Sequence, residues 1–335
     1  MENKKTLLAN ILLLAALSLF VLIPITISIL FGLNGDIKGN SSLIISGGAS
    51  IIALGGITLL YCKITKRSFK NVMVIKKISL KQVIIIMGAS VGTYIFAIGV
   101  NVISMQLFPF LIEDSKVISD LLTNSSALLG LIVVVLIPSF FEEIFFRGIF
   151  LDAYEGMNKK LKYFIITAVF ASFHGNLMQI IYVMFLGFVL LKIREYTGSL
   201  VGSMILHAAN NAISFSISKV AMAFMKLKET GIENGVIDPV QEAAAADAMS
   251  VSLSAALISA SVFFIIGGTI LFISLRKLKE YKEEQEDLEL VQEDYTEIRE
   301  DCVEIKEECS DVNKKQYIPL AIYFVVITIL VVSSY

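Results

Sequence analysis

The chain has 335 residues, 56% of them apolar and 17% charged, with a mean hydropathy of +0.77, which leaves too little polar surface to coat a water-soluble globule. Lys and Arg number 28 against 30 Asp and Glu, a net charge of −2, so there is no basic excess for a phosphate backbone and nucleic acid is excluded as a partner. The three cysteines, Cys62, Cys302 and Cys309, form no Cys-x-x-Cys pair and no disulfide framework.

A hydrocarbon core of about 30 Å takes roughly 20 apolar residues in a helix. Windows free of Asp, Glu, Lys and Arg run over 7–33, 42–61, 82–112, 121–141, 163–191, 249–275 and 316–335, and 197–225 is interrupted only by Lys219. The first follows Lys4 and Lys5 as a signal peptide would, but it is longer than an h-region of about 7–15 residues and predicts a retained span. Seven basic residues between 63 and 81 (Lys63, Lys66, Arg67, Lys70, Lys76, Lys77, Lys81) place that segment and the N-terminus in the cytoplasm. The loop around Glu113, Asp114 and Asp120 then lies outside.

Lys159, Lys160 and Lys162 before window 163–191, and Lys192 and Arg194 after it, put both its flanks inside. An even number of crossings is required, which predicts two short helices broken near Gly175 and Asn176. Irregular backbone at membrane depth must face protein or a wet cavity, so a cavity is expected there. The fold class is all-α, a polytopic transmembrane bundle of about 8–9 spans in an inner (plasma) membrane. Residues 1–120 hold the first three spans, 121–225 a core, 226–275 an external loop and span, and 316–335 a last span.

Segment 276–315 differs from the rest. It carries half of the chain's acidic residues, yet Leu288, Val291, Tyr295, Ile298, Cys302, Ile305 and Cys309 recur at steps of three and four. That spacing predicts an amphipathic or coiled-coil cytoplasmic helix, whose seam over 288–309 suits a second copy of the chain or another protein.

Ionisable groups inside spans cost several kcal/mol and mark functional candidates. Here they are few. Glu143 and Arg147 are four apart, so they share a helix face and can pair. Glu142 is turned about 100° away and must find its partner on another helix or stay partly protonated. His174 precedes the Gly175 break. His207 and Asn211, four apart on a later helix, also share a face. Pro138 lacks a backbone donor and bends the helix where the acids enter. Read singly, each of these has a structural use: Glu143 with Arg147 as a staple, His207 with Asn211 as interhelical hydrogen-bond glue, His174 as a capped helix end. Both histidines and the only Glu-Glu pair within a span would all have to be structural at once.

Glu142-Glu143-x-x-x-Arg147, Phe170-x-x-x-His174 and His207-x-x-x-Asn211, in this order on successive helices, resemble the three motifs of the CAAX protease and bacteriocin-processing (Abi) family of intramembrane endopeptidases. The resemblance covers about residues 128–214. It implies peptide-bond hydrolysis in a conical cavity opening to the cytosol, with a peptide or membrane protein as substrate. Glu142 would activate water, His174 would help hold the water or a metal, His207 and Asn211 would stabilise the oxyanion, and Glu143 with Arg147 would order Glu142. Glu142, His174 and His207 would be three ligands to a zinc ion with one open position, or the same residues would work metal-free as a glutamate-type hydrolase. Two other readings stay open: a transporter, since broken helices and buried ionisable groups also mark carriers, and a non-catalytic scaffold acting through the acidic seam.

Overall fold

The computed structural model describes residues 2–32, 39–109, 125–233, 252–296 and 314–333, and every regular element among them is helical. In chain order these are α1 (Glu2–Leu30), α2 (Gly39–Thr65), the short α3 (Phe69–Met73), α4 (Leu80–Leu107), α5 (Ala127–Ala153), α6 (Lys159–Phe173), α7 (Leu177–Thr197), α8 (Leu200–Glu233), α9 (Leu253–Thr296) and α10 (Ile318–Val332). Seven of them (α1, α2, α4, α5, α8, α9 and α10) are long and apolar enough to cross a membrane. The protein is therefore a multi-pass membrane protein.

Of the other three, α6 and α7 form a hairpin. Gly175 takes a left-handed φ of +63° that a residue with a Cβ adopts only under strain, and Asn176 starts α7 by accepting the Gln179 N–H on its side chain at 3.1 Å. The break thus falls at residues 174–176. The open ends of the hairpin are joined at Glu195, which pairs with Lys159 and accepts a hydrogen bond from Tyr163 Oη at 3.0 Å.

A network of hydrogen bonds gathers many helix ends onto one face. Thr6 Oγ1 donates to Ala153 O at 2.7 Å, Tyr154 Oη to Asn10 Oδ1 at 2.6 Å and Asn10 Nδ2 to Gln316 O at 2.9 Å. Asp152, at the end of α5, accepts from Tyr61 Oη at 2.6 Å and pairs with Arg67. Arg194 donates to Met73 O, and Ser199, just before α8, donates to Lys76 O at 2.8 Å. The start of α1, the ends of α2, α5 and α7 and the starts of α6, α8 and α10 thereby share a face, called here the basic face for its Lys and Arg. At the opposite face Lys219 on α8 donates to Ser125 O, and Ser126 N to Asn40 Oδ1.

α4 and α9 make the tightest backbone approach. A Cβ added at Gly267 would lie 2.5 Å from Phe96 N, and one at Gly92 2.7 Å from Leu271 N. Small residues let membrane helices approach this closely. Gly268, next along, meets only Phe96 at 3.9 Å. Gly267→Ala is expected to lower stability by about 1–3 kcal/mol through overpacking, while Gly268→Ala is neutral or stabilises by about 0.5–1 kcal/mol through helix propensity. Thermal unfolding of the two variants in detergent checks this contrast.

Past its span α9 continues as a helix braced by pairs four residues apart, Arg276–Glu280 at 2.8 Å, Lys279–Glu283 at 3.3 Å and Lys282–Glu286 at 3.3 Å. The side chains of the 288–309 seam, and most of the loop after α8, lie outside the described residues.

Candidate active site

The basic half of α5 is the centre of the core. Phe145, Phe146, Ile149 and Phe150 have no exposed surface, and Phe146 lies edge-on to Phe170 and Phe173 of α6 at 5.2 and 5.6 Å. α5 is not a uniform helix. Wide i→i+5 turns occupy Leu131–Leu136 and Glu143–Ile149, on either side of the stretch that holds Pro138 and Glu142. Such turns re-aim side chains and are frequent at functional sites.

Glu143 and Arg147 pair at 3.0 Å and are fully buried. Arg147 also donates to Gly187 O of α7 at 3.2 Å and lies 4.0 Å over the Phe170 ring. Both helices of the hairpin are therefore fixed to α5 by one guanidinium. A further partner of Glu143 is on α8: His207 Nδ1 lies 2.9 Å from Glu143 Oε1. A carboxylate paired with arginine can only accept, so Nδ1 carries a proton and Nε2 is the nitrogen left to face the site. The resemblance implies that Glu143 orders Glu142; in the structure its hydrogen bonds go to Arg147 and His207.

His174 is set in the same sense. Its Nδ1 lies 2.9 Å from the carbonyl of Phe170, an acceptor only, so Nδ1 donates and Nε2 is again the free nitrogen. Both Nε2 atoms face one oxygen: Glu142 Oε2 is 4.0 Å from His174 Nε2 and 3.9 Å from His207 Nε2. Among the described residues that oxygen makes no hydrogen bond. The Glu142 and His174 side chains keep 17% and 23% of their surface while Glu143 and Arg147 keep none. This separates the pair that can meet a ligand from the pair that holds the site.

These groups line one wall of a cavity of about 250 Å³, with Asn211 and Pro138 beside them. Asn211 donates one of its two amide hydrogens to Val134 O at 3.3 Å. Gln179 and Tyr182 of α7 and Ser214 and Ser218 of α8 also line it, none of them singled out from the sequence. Their signal is spacing: Gln179, Tyr182 and Leu186 fall at i, i+3, i+7, and His207, Asn211, Ser214 and Ser218 at i, i+4, i+7, i+11, each a single helix face.

The zinc ligand set Glu142, His174 and His207 does not close in this arrangement. Bonds of about 2.0–2.2 Å at tetrahedral angles put ligand atoms about 3.3 Å apart, and the two spacings to Glu142 are 3.9 and 4.0 Å. Among the described residues no group of three His, Cys, Asp or Glu is placed to hold a metal ion. The same spacings leave room for one water, which can donate to Glu142 and to His174 Nε2, since a hydrogen bond spans about 2.8 Å.

Residues 124–213 match the family described as type II CAAX prenyl endopeptidase, Rce1-like. That stretch runs from the start of α5 into α8 and contains Glu142, Glu143, Arg147, His174, His207 and Asn211. Over this core the chain is similar to the CAAX proteases. No curated protein and no solved structure matches it.

Proposed function

We propose that the chain is an intramembrane endopeptidase that cleaves membrane-associated peptides or proteins with a water activated by Glu142. The observation that carries the reading is the convergence of two imidazole Nε2 atoms on Glu142 Oε2 at the wall of a cavity within the bundle.

The geometry supports the following roles. Glu142 takes a proton from the water as it attacks the carbonyl, and later returns one to the leaving amine. His174, held by the Phe170 carbonyl, accepts a hydrogen bond from the same water and keeps it in place. His207, present as the imidazolium before the attack, and the second amide hydrogen of Asn211 donate to the oxygen on which charge develops, in a site poor in water where fixed donors are most effective. Glu143 holds the His207 ring by Nδ1 and stabilises the imidazolium. Arg147 balances the two carboxylates. Among the described residues that line the cavity, neither Ser214 nor Ser218 is hydrogen-bonded to Glu142, His174 or His207, so hydrolysis is direct and passes through no acyl-enzyme. No step is routed through a metal.

Peptides released from membranes carrying the wild-type protein and a Glu142→Gln variant should differ by a defined set of products found only with the former. Identical peptide profiles at equal protein levels contradict the proposal.

A further inference from the structure

A groove of about 750 Å³ runs along the hairpin between α6 and α7, and its lining shares no residue with that of the Glu142 cavity. Phe164 of α6 and Ile180, Met184 and Phe188 of α7 form its walls, and Phe164 and Phe188 keep 60% and 45% of their surface exposed. In a membrane bundle such surface meets lipid. On α7 the lining runs from Ile180 to Lys192, twelve residues or about 18 Å of helix, and half of a hydrocarbon core of about 30 Å is about 15 Å. The groove is therefore as deep as one leaflet.

Its mouth lies at the basic face, where α6 starts and α7 ends, and is lined by Lys159, Lys160 and Lys192. Glu195 is the carboxylate beside them, paired with Lys159 and, at 3.2 Å, with Lys192, and it also accepts from the Tyr163 hydroxyl at 3.0 Å. Three ammoniums against one carboxylate leave two positive charges unmatched within this cluster. Tyr163, Tyr196 and Phe188 hold the Lys192 ammonium in position, with their ring centres 5.6, 5.5 and 5.8 Å from it. By contrast, the groove at Val220 and Phe224 of α8 has no charged residue in its lining.

We infer that the hairpin groove binds an anionic phospholipid of the leaflet at the basic face, with one acyl chain along Phe164, Met184 and Phe188 and the phosphate at Lys159, Lys160 and Lys192. Basic pockets between membrane helices take such headgroups, and an acyl chain supplies the apolar length that a free phosphate lacks. The same two helices carry His174 and the Gly187 carbonyl that accepts from Arg147, so the lipid braces the hairpin that holds the site. The inference rests on the groove and its charges, and it stands whether or not the chain hydrolyses peptides.

The chain has no tryptophan, so one placed by Phe188→Trp reports on this groove alone. The full-length variant is reconstituted in vesicles of equal parts phosphatidylglycerol and phosphatidylcholine, in which the chains of either the first or the second are brominated to quench the indole on contact. Quenching is expected to show a preference of about tenfold for phosphatidylglycerol, drawn by the two unmatched charges. Lys159→Gln with Lys160→Gln leaves the mouth neutral and should abolish the preference. Lys63→Gln with Lys66→Gln removes two exposed lysines of the same face that lie outside the groove, and should leave it intact. Equal quenching by both lipids overturns the inference, as does a preference that survives without Lys159 and Lys160 or disappears without Lys63 and Lys66. Quenching by neither lipid also overturns it, since the groove would then be covered by a second copy or another protein. If Phe188→Trp does not fold, Phe164→Trp on the facing wall carries the same measurement.

Discussion

Glu142→Gln is expected to lower peptide cleavage by about 10²–10⁴-fold, the share that a positioned general base supplies, with little change in stability. The amide is the same size as the carboxyl and sits at the cavity wall. Among the described residues Glu142 Oε2 makes no hydrogen bond whose loss would be felt in folding. Glu143→Gln is the informative comparison. A glutamine at that position carries no charge to hold His207 as the imidazolium, so the Nε2 proton that faces the oxyanion is lost. A comparable loss of rate per folded molecule is expected there, since the carboxylate behind a catalytic imidazole is worth up to about 10⁴-fold, together with a loss of stability because Arg147 is left without its charge partner. Cleavage rates for the two variants at matched amounts of folded protein give the answer.

Arg147→Met has the largest expected effect on stability. Arg147 is fully buried, pairs with Glu143, donates to the Gly187 carbonyl of α7 and lies over Phe170 of α6. Removing it leaves a buried carboxylate with one imidazole as its partner, and breaking a buried pair from one side costs about 3–5 kcal/mol. Little folded protein is expected in detergent. Replacing both members, Glu143→Met with Arg147→Met, removes the stranded charge, and such exchanges are often neutral. The double variant should recover most of the folded fraction and remain inactive, because His207 has lost the acceptor that fixes its ring. If the double variant were as unstable as the single one, the Gly187 and Phe170 contacts, and not the charge pair, would hold the hairpin.

The hairpin and the candidate residues were both legible in the sequence, for different reasons. Basic residues on both flanks of window 163–191 demand an even number of crossings, and Gly175 with Asn176 supplies the chemistry of the break. The site groups stand out because an apolar chain has few ionisable residues within its spans. What could not be read is what depends on how helices rotate against one another. Glu143 reaches His207, 64 residues away, and Arg147 reaches Gly187, 40 residues away. Spacing within one helix showed the Glu143–Arg147 pair and could not show either of these. The wide turns in α5 and the lining by Gln179 and Tyr182 are likewise products of packing. Pro138 hints at the first of them alone.

A double-mutant cycle between Glu142 and His207 tests the central claim most directly, because groups that surround one reacting water fail together. Cleavage of a single peptide by the purified full-length protein in lipid vesicles is measured for Glu142→Gln, His207→Ala and the pair. The double variant should be no slower than the worse single variant. Losses that multiply, or a Glu142→Gln variant that cleaves at the wild-type rate, would mean that the two residues do not act on a shared site.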